Sequence, residues 1–337
     1  IAGEKAGIFK DGVPAFTVAQ PEEAMSVLEQ KAAELNVDLR VVAPLDAKLL
    51  NGQKLGLEGD HQYVNAGLAI ALSSLWLQRT GHCDVINLGD TSILPQEFVR
   101  GLTTASMQGR AQIVHDQITD SESRGDLVFY LDGAHSPESM DVCAKWFSLA
   151  VKGACQNGDS NNTLKGDLVS ERRHSHLDKR PRQNLMRILL FNCMSVRDPQ
   201  ELLPRLVNTC ASHGVHFNKA LFVPNISVYY KIGAPTSIVN DPQVDLSWQY
   251  SMQKIFENLV QGSKGSEAKN IDTPFQVVKD SDGVSMRSSE NSIVFPSLPL
   301  AIKWLRDRAQ QNRTLQLQVL VTGSLHLVGD VLRLMRK

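Results

Sequence analysis

The stretch LVFYLDGAHSPES, residues 127–139, decides the fold class of this chain. Its first five residues are apolar or aromatic, which is typical of a fully buried β-strand. Gly133 allows a tight turn directly after the strand, and Ser136, followed by proline, is a favourable start for a helix. The stretch therefore predicts a strand, a sharp turn and a helix, with Asp132 and His135 at the carboxyl end of the strand.

The carboxyl end of such a strand is a common place for a binding site. In open α/β sheets ligands bind beyond the strand ends, where the N-termini of helices offer N–H groups to anions. Asp132 and His135 are therefore candidate binding residues, although a turn capped by Asp132 and a packed ring of His135 would explain the same pattern. Near the end of the chain, Gly323-Ser324-Leu325-His326 follows another apolar strand, and the two turns together predict one shared crevice.

Apolar runs and amphipathic segments alternate along the rest of the chain. Strands are predicted at 13–18, 38–42, 111–114, 127–131, 186–191, 220–223 and 315–322, and helices at 21–35, from 62, 95–102, 137–152, 199–210, 241–260, 297–312 and up to 335. This alternation predicts an α/β fold with a mostly parallel sheet and helices on both faces.

Composition excludes several classes of function. The 337 residues suffice for two domains, and 35 basic against 36 acidic residues give a net charge of -1, which argues against a nucleic-acid partner. No apolar run approaches the roughly 20 residues of a membrane span. Five cysteines without a CxxC pair predict free thiols rather than a zinc site.

The pattern breaks between Gly89 and Pro95, where we expect a domain boundary. Arg110 follows this break, and its planar guanidinium suits a phosphate across a domain cleft, although a surface salt bridge is the simpler alternative. The segments 153–184 and 262–270 are polar and are predicted to be flexible insertions. His174 and His176 lie in the first insertion, among residues of both charges, and lack the spacing of a metal site.

The motifs of common nucleotide and hydrolase sites are missing from the chain. It contains no GxxxxGK[ST] phosphate loop, no GxGxxG and no GxSxG elbow. The residues alone therefore indicate a nucleotide or anion site whose phosphate-binding loop is not in this sequence. A flavodoxin-like redox domain is disfavoured because no segment resembles a flavin-binding loop.

Five motifs in this order resemble the folylpolyglutamate synthases of the Mur ligase superfamily. They are EKAGIFK at 4–10, GDHQYVNAGLA at 59–69, QGRAQ at 108–112, LDGAHSPES at 131–139 and VTGSLHLVGDVLRL at 321–334. Where the family usually has Trp-Pro-Gly-Arg, this chain has Met107-Gln108-Gly109-Arg110, which keeps the Gly-Arg pair.

The resemblance implies a domain organisation of the eukaryotic type. Residues 1–90 would be the C-terminal part of a Mur-ligase-type central ATPase domain, 91–105 an interdomain linker, and 106–337 a Rossmann-like, mostly parallel C-terminal ligase domain. Because the family carries its phosphate loop upstream of the first of these motifs, an N-terminally truncated chain is expected.

The resemblance also implies roles for individual nucleotide-site residues. Arg110 would bind the phosphates of ATP, Asp132 the ribose or the metal-phosphate end, and Asn65 the region of the adenine. Lys5 matches a lysine that is carbamylated in Mur-type ligases, where the carbamate helps to hold Mg²⁺. His135 and Ser324 are candidates for gripping the incoming glutamate, and His135 is also a catalytic candidate.

The implied reaction is the ATP-dependent addition of L-glutamate to the γ-carboxylate of folate polyglutamates, through an acyl phosphate, in one-carbon metabolism. It requires ATP and Mg²⁺, with a monovalent cation such as K⁺ as a further candidate, and implies a monomer in the cytoplasm, the mitochondrion or both. Two alternatives stay open: a dihydrofolate synthase, which shares these motifs, and a catalytically inert fragment.

Overall fold

The computed structural model describes residues 1–82, 93–116, 126–157, 184–225, 244–263, 276–279, 285–312 and 314–335. The chain divides into two compact units, Ile1–Met107 and Gln108–Lys337, and each is described by itself. None of the helices in the described ranges combines the length and the hydropathy that a membrane-spanning segment needs.

The first unit contains a small parallel sheet and four helices within its described residues. Its elements are α1 (Ala2–Lys5), β1 (Ala15–Val18), α2 (Glu22–Glu34), β2 (Leu39–Val42), α3 (His61–Arg79) and α4 (Gln96–Thr104). Strands β1 and β2 pair in parallel, and α2, which connects them, buries Leu28 and Ala32 on one face as its period predicted.

Helix α4 packs on the core of the first unit, whereas residues 91–105 were expected to form an interdomain linker. Val99 is fully buried and packs with Leu45, Leu50 and Ala66. The amphipathic period of α4 explains the difference, because a helix with an apolar face packs on a core rather than bridging two domains.

Helix α3 buries the side opposite to Leu72 and Trp76. These two residues, which share a stripe at helical spacing, are both exposed. The buried face carries Ala66 and Gly67, because the helix lies so close to the backbone of Ala43 that a side chain at position 67 would clash with its carbonyl. Small residues therefore allow the close approach, and Tyr63 and Ile70 of the same helix pack partly buried against the core.

The second unit is built on an eight-stranded sheet in its described residues. The strands are β3 (Gln112–His115), β4 (Asp126–Leu131), β5 (Asn184–Phe191), β6 (Lys219–Phe222), β7 (Gln276–Lys279), β8 (Ser285–Ser288), β9 (Ser292–Val294) and β10 (Leu315–Thr322), in the order β3-β4-β10-β5-β6-β9-β8-β7. The five strands from β4 to β9 in this order are parallel, whereas β3, β8 and β7 are antiparallel to their inner neighbours.

Helices cover both faces of this sheet. They are α5 (Pro137–Asn157), α6 (Pro199–Ser212), α7 (Ser247–Ser263), α8 (Leu298–Gln311) and α9 (Leu325–Met335). Alternate strand residues feed two separate cores, since Tyr130 packs with α5, α6 and α7 while its neighbours Phe129 and Leu131 pack with α8 and α9. The predicted α/β class, with a mostly parallel sheet and helices on both faces, is confirmed.

Several predicted boundaries are wrong. Helix α5 continues to Asn157, so the insertion does not begin at 153, and α7 begins at Ser247 rather than 241 and extends to Ser263. Most of the two predicted insertions, residues 158–183 and 264–270, lies outside the described residues. The short strands β7, β8 and β9 were not predicted, because segments of three or four residues are too short to carry a clear apolar period.

A buried ion pair ties the edge of the sheet to α8. Asp116, directly after β3, accepts hydrogen bonds from Arg306 at 2.7 and 3.1 Å, and its side chain is only 1% exposed. Removing one partner of such a pair leaves a charge in a low-dielectric interior, which costs far more than the intact pair contributes.

We therefore expect Arg306→Met to lower the free energy of unfolding of the second unit by about 3–5 kcal/mol, because it leaves the Asp116 carboxylate uncompensated. Urea unfolding followed by circular dichroism measures this loss. Arg205→Met is the matched control: Arg205 pairs with Asp141 at 3.4 Å on a half-exposed surface, and its loss should cost under about 1 kcal/mol. Equal losses in the two variants would contradict the assignment.

Candidate functional site

The carboxyl ends of four adjacent parallel strands lie together in the second unit. Strands β4, β10, β5 and β6 are neighbours in that order, and each ends in a turn of small or polar residues. The turn after β10 contacts the turn after β4, since the Gly323 N–H donates to the carbonyl of Ala134 at 3.0 Å. The turns at Gly133 and Gly323 therefore lie against each other, and the shared crevice stays a prediction.

Asp132 joins two separate loops through its carboxylate. One oxygen, Oδ1, accepts the N–H of Ala134 at 2.9 Å, and the other, Oδ2, accepts the N–H of Ala111 at 3.0 Å. Its own N–H donates to the carbonyl of Val321 at 3.1 Å. Asp132 therefore caps the turn after β4, as the simpler alternative proposed, and in addition fixes the loop that carries Arg110.

The Arg110 loop is pressed closely against the turn after β4. The carbonyl of Gly109 accepts the N–H of Gly133 at 3.0 Å. A Cβ on Gly133 would clash with the side chain of Leu325 and would lie 2.8 Å from Nη1 of Arg110, so Leu325 and the guanidinium together occupy the space that a side chain at position 133 would take. The glycine thereby makes room for an apolar side chain and a cation at the end of β4, and the cation suits a phosphate or carboxylate ligand.

His135 has a defined tautomer in this arrangement. Its Nδ1 lies 2.8 Å from the carbonyl of Gly133, so Nδ1 carries the proton and donates it to that oxygen. In the neutral ring, Nε2 then keeps its lone pair and can accept a proton or a hydrogen bond. The N–H groups of His135 and Ser136 both donate to Oγ of Ser139, which stabilises the start of α5.

Ser324 is buried in the turn after β10. Its Oγ accepts the N–H of His326 at 3.2 Å, as a cap at the start of α9, and lies 3.5 Å from Nδ2 of Asn225. Asn225 itself follows β6, so these side chains connect the ends of two strands. The structure therefore places Arg110, Asp132 and His135 at the carboxyl end of β4. It places Ser324 in the turn after the neighbouring strand β10.

A cavity of about 300 Å³ lies at the ends of β5 and β6. Its lining includes Asn192, Cys193, Asn225, Trp248 and Gln249. The Nε2 of Gln249 donates to Oδ1 of Asn192 at 3.2 Å, and the indole N–H of Trp248 donates to the carbonyl of Cys193 at 2.8 Å. Burial raises the pKa of the Cys193 thiol to about 12, so this cysteine is protonated at neutral pH and is a poor nucleophile.

The remaining predicted site residues belong to the first unit. Lys5 is exposed in the last turn of α1. Asn65 is exposed on α3, and its Nδ2 donates to Oε1 of Gln62 at 3.0 Å. Across the described ranges, three or more His, Cys, Asp or Glu side chains nowhere come together as a metal site would require. The described residues alone therefore supply no complete set of Mg²⁺ ligands.

One contributor to this edge had no predicted role. Gln112 accepts the N–H of Gly109 through its side chain at 2.9 Å. The residue stands in the QGRAQ motif, but a glutamine at the start of a strand gives no sequence signal that its side chain turns back to the preceding loop. Asn225, which follows β6, likewise had no predicted role.

Solved structures share the fold of this chain. A Mycobacterium tuberculosis folylpolyglutamate synthase complexed with ADP and AMPPCP matches with a TM-score of 0.53 at 17% identity, over 100% of this chain and 59% of that chain. A bifunctional folylpolyglutamate synthase/dihydrofolate synthase from Yersinia pestis, complexed with AMPPNP and Mn ion, gives 0.51 at 14% identity, over 100% of this chain and 56% of that chain.

The chain is also similar in sequence to curated proteins. A folylpolyglutamate synthase of Arabidopsis thaliana is 59% identical over 340 residues, which cover 100% of this chain and 56% of that protein. A mitochondrial folylpolyglutamate synthase of Bos taurus is 29% identical over 384 residues, covering 99% and 59%. No protein-family model matches the chain. In sequence the chain is similar to folylpolyglutamate synthases, and it spans a little over half the length of these relatives.

The turn after β10 should tolerate no side chain at Gly323. Its φ is +98°, and a Cβ there would lie 2.5 Å from the carbonyl oxygen of Asn192. We expect Gly323→Ala to lower the free energy of unfolding by about 1–3 kcal/mol, measured by urea unfolding. Gly329→Ala, on α9 with no atom within 4 Å of the new methyl group, should instead be neutral or stabilise by about 0.5–1 kcal/mol. A stable Gly323→Ala variant would disprove the strained turn.

Proposed function

We propose that this protein is an ATP-dependent ligase that adds L-glutamate to the γ-carboxylate of folate polyglutamates. The observation that supports this proposal most directly is the Arg110 guanidinium, which lies against Gly133 at the end of β4, where His135 also contacts the Gly133 carbonyl. The similarity of the chain to folylpolyglutamate synthases supports the substrate class.

The proposed reaction proceeds in two displacements. An oxygen of the folate carboxylate attacks the γ-phosphorus of ATP, and ADP leaves with the electron pair of the broken P–O bond. The amine of L-glutamate then attacks the acyl carbon, phosphate leaves, and the new amide nitrogen loses a proton. Both steps depend on positioning and on neutralising phosphate charge.

Arg110 is assigned to the phosphates. Its planar fork of donors can bind two oxygens at once, and the Gly133 backbone beneath it leaves room for the cation. Asp132 acts at the ribose or the metal-phosphate end in this proposal, and Asn65 at the adenine. Among the described contacts, both Asp132 oxygens accept backbone N–H groups, so this carboxylate also orders the site before any ligand binds.

His135 and Ser324 are assigned to the incoming glutamate. Because Nδ1 of His135 donates to the Gly133 carbonyl, Nε2 can accept the proton that the attacking amine must lose. Ser324 offers a hydroxyl at the neighbouring turn, where Asn225 lies 3.5 Å away. The two residues therefore supply an acceptor and a hydroxyl at adjacent strand ends.

The proposed cofactor is Mg²⁺, with K⁺ as a candidate monovalent ion. The Yersinia pestis relative was solved with a Mn ion, which is also divalent. In this chain Lys5 is the candidate ligand: its neutral amine would add to CO₂ and lose a proton, giving a carbamate that binds the ion. Other ligands would have to come from outside the described residues, so no step of the reaction is assigned to the ion.

The proposed substrates and partners are folate, L-glutamate and ATP, and the proposed state is a monomer. The proposed location is the mitochondrion, the cytoplasm or both, and a mitochondrial relative supports the first of these. An assay of the full-length gene product with dihydropteroate and with tetrahydrofolate as acceptors separates a dihydrofolate synthase from a folylpolyglutamate synthase.

Arg110→Ala should reduce turnover of the full-length gene product by at least about 10²-fold, because it removes the cation that stabilises phosphate charge in the transition state. Release of ADP in the presence of tetrahydrofolate and L-glutamate measures the rate. Arg205→Ala, which removes a half-exposed cation on α6, serves as control and should keep normal turnover. Near-normal turnover of the Arg110 variant would rule out its phosphate role.

His135→Ala should lower kcat by about 10²-fold and raise KM for L-glutamate, while KM for ATP changes little. The reason is that the variant loses the Nε2 acceptor but leaves Arg110 in place. Steady-state kinetics with each substrate varied in turn resolves the three constants. A variant impaired only in KM for ATP would move His135 from the glutamate site to the nucleotide site.

A further inference from the structure

The loop that carries Arg110 adopts a backbone conformation that needs external support. Gly109 has φ +71°, and Ala111 has φ +44°, a left-handed value that is unfavourable for alanine. Residue 109 also has no space for a side chain, because a Cβ there would lie 2.7 Å from Cγ1 of Val328. Arg110 is therefore flanked on both sides by residues in the left-handed region.

Three hydrogen bonds hold this loop in place. The carbonyl of Gly109 accepts the N–H of Gly133, and the N–H of Ala111 donates to Asp132. The third bond differs in origin, since the N–H of Gly109 donates to the side-chain Oε1 of Gln112 at 2.9 Å. Gly109 is buried, so losing this acceptor would leave its N–H without a partner in a place that water reaches poorly.

Gln112 connects the sheet to the Arg110 loop. It is the first residue of β3 and pairs with Leu131, the last residue of β4. Its backbone is therefore fixed by the strand ladder, while its half-buried side chain reaches back across Arg110 to Gly109. The hydrogen bond closes a small ring of atoms from Gly109 to Gln112 that includes the backbone of Arg110. This ring restricts the direction in which the Arg110 side chain points.

We propose that Gln112 is a positioning residue for Arg110, an assignment that rests on the proposed phosphate role of Arg110. The side-chain oxygen of Gln112 fixes the Gly109–Ala111 turn, and this turn holds the Arg110 guanidinium against Gly133 before a phosphate-bearing ligand binds. The requirement is for a hydrogen-bond acceptor of this length, not for an amide as such.

Hydrogen exchange on this chain tests the structural part of the proposal without any activity assay. Gln112→Met keeps the length and volume but removes the acceptor, and Gln112→Glu keeps an acceptor. The amide of Gly109 should exchange about tenfold faster in Gln112→Met than in the parent chain, and at nearly the parent rate in Gln112→Glu. Equal exchange in all three proteins would overturn the proposal. An unchanged melting temperature shows that any difference is local.

A double-mutant cycle in the full-length gene product tests whether Gln112 acts through Arg110. Gln112→Met should raise KM for ATP about tenfold with a smaller change in KM for L-glutamate, and Gln112→Glu should restore most of the affinity. Placed on Arg110→Ala, the same Gln112→Met change should have no further effect. An equal loss on both backgrounds would show that Gln112 acts independently and would overturn the positioning role.

The two experiments separate this proposal from the proposed function. If Arg110→Ala leaves ATP turnover unchanged, the phosphate role of Arg110 fails, whatever the exchange data show. If Arg110→Ala abolishes turnover while Gln112→Met changes neither the exchange of Gly109 nor KM for ATP, the function stands and the positioning role of Gln112 is wrong.

Discussion

The carboxylate of Asp132 is the interaction on which the carboxyl edge of the second unit depends. It accepts one N–H from the turn after β4 and one from the Arg110 loop, at 2.9 and 3.0 Å. Neither loop belongs to a helix or strand, so these N–H groups have no regular ladder to join. A charged acceptor between them makes two strong bonds at once, and the positions of Arg110 and His135 follow from it.

The sequence was most informative where burial is continuous. The strands predicted at 127–131 and 315–322 are present as β4 (Asp126–Leu131) and β10 (Leu315–Thr322), because a parallel strand covered on both faces is mostly apolar. The turn after β4 was also predicted, because glycine followed by serine and proline is typical of a turn that leads into a helix. By contrast, β7 to β9 are short and lie towards one edge of the sheet, where one side of a strand need not be apolar.

What could not be predicted is which distant segments become neighbours. Strands β4 and β10 pair although Asp126 and Gln316 are 190 residues apart, and only this pairing brings Ala134 to Gly323. Gln112 and Gly109 are close in sequence, but their contact could not be predicted either. It exists only because β3 pairs antiparallel to β4, which sets the direction of the chain after Arg110. Local pattern gives the elements, whereas the packing of the whole sheet gives the site.

Burial differs between acidic residues that stabilise the fold and the acidic residue at the candidate site. Asp116, Glu257 and Asp132 show this difference. Asp116 is almost fully buried and paired with Arg306, and Glu257 is 2% exposed and accepts Ser292 Oγ at 2.5 Å and Asn291 Nδ2 at 3.0 Å. Both lie in surroundings that neutralise them through ion pairing or hydrogen bonds, as buried carboxylates require. Asp132 is only half-buried and accepts the N–H of Ala111, the residue after Arg110. Its charge therefore shapes a loop at the strand ends, where the N-terminus of α5 and a cation also lie, and such an arrangement favours an anionic ligand.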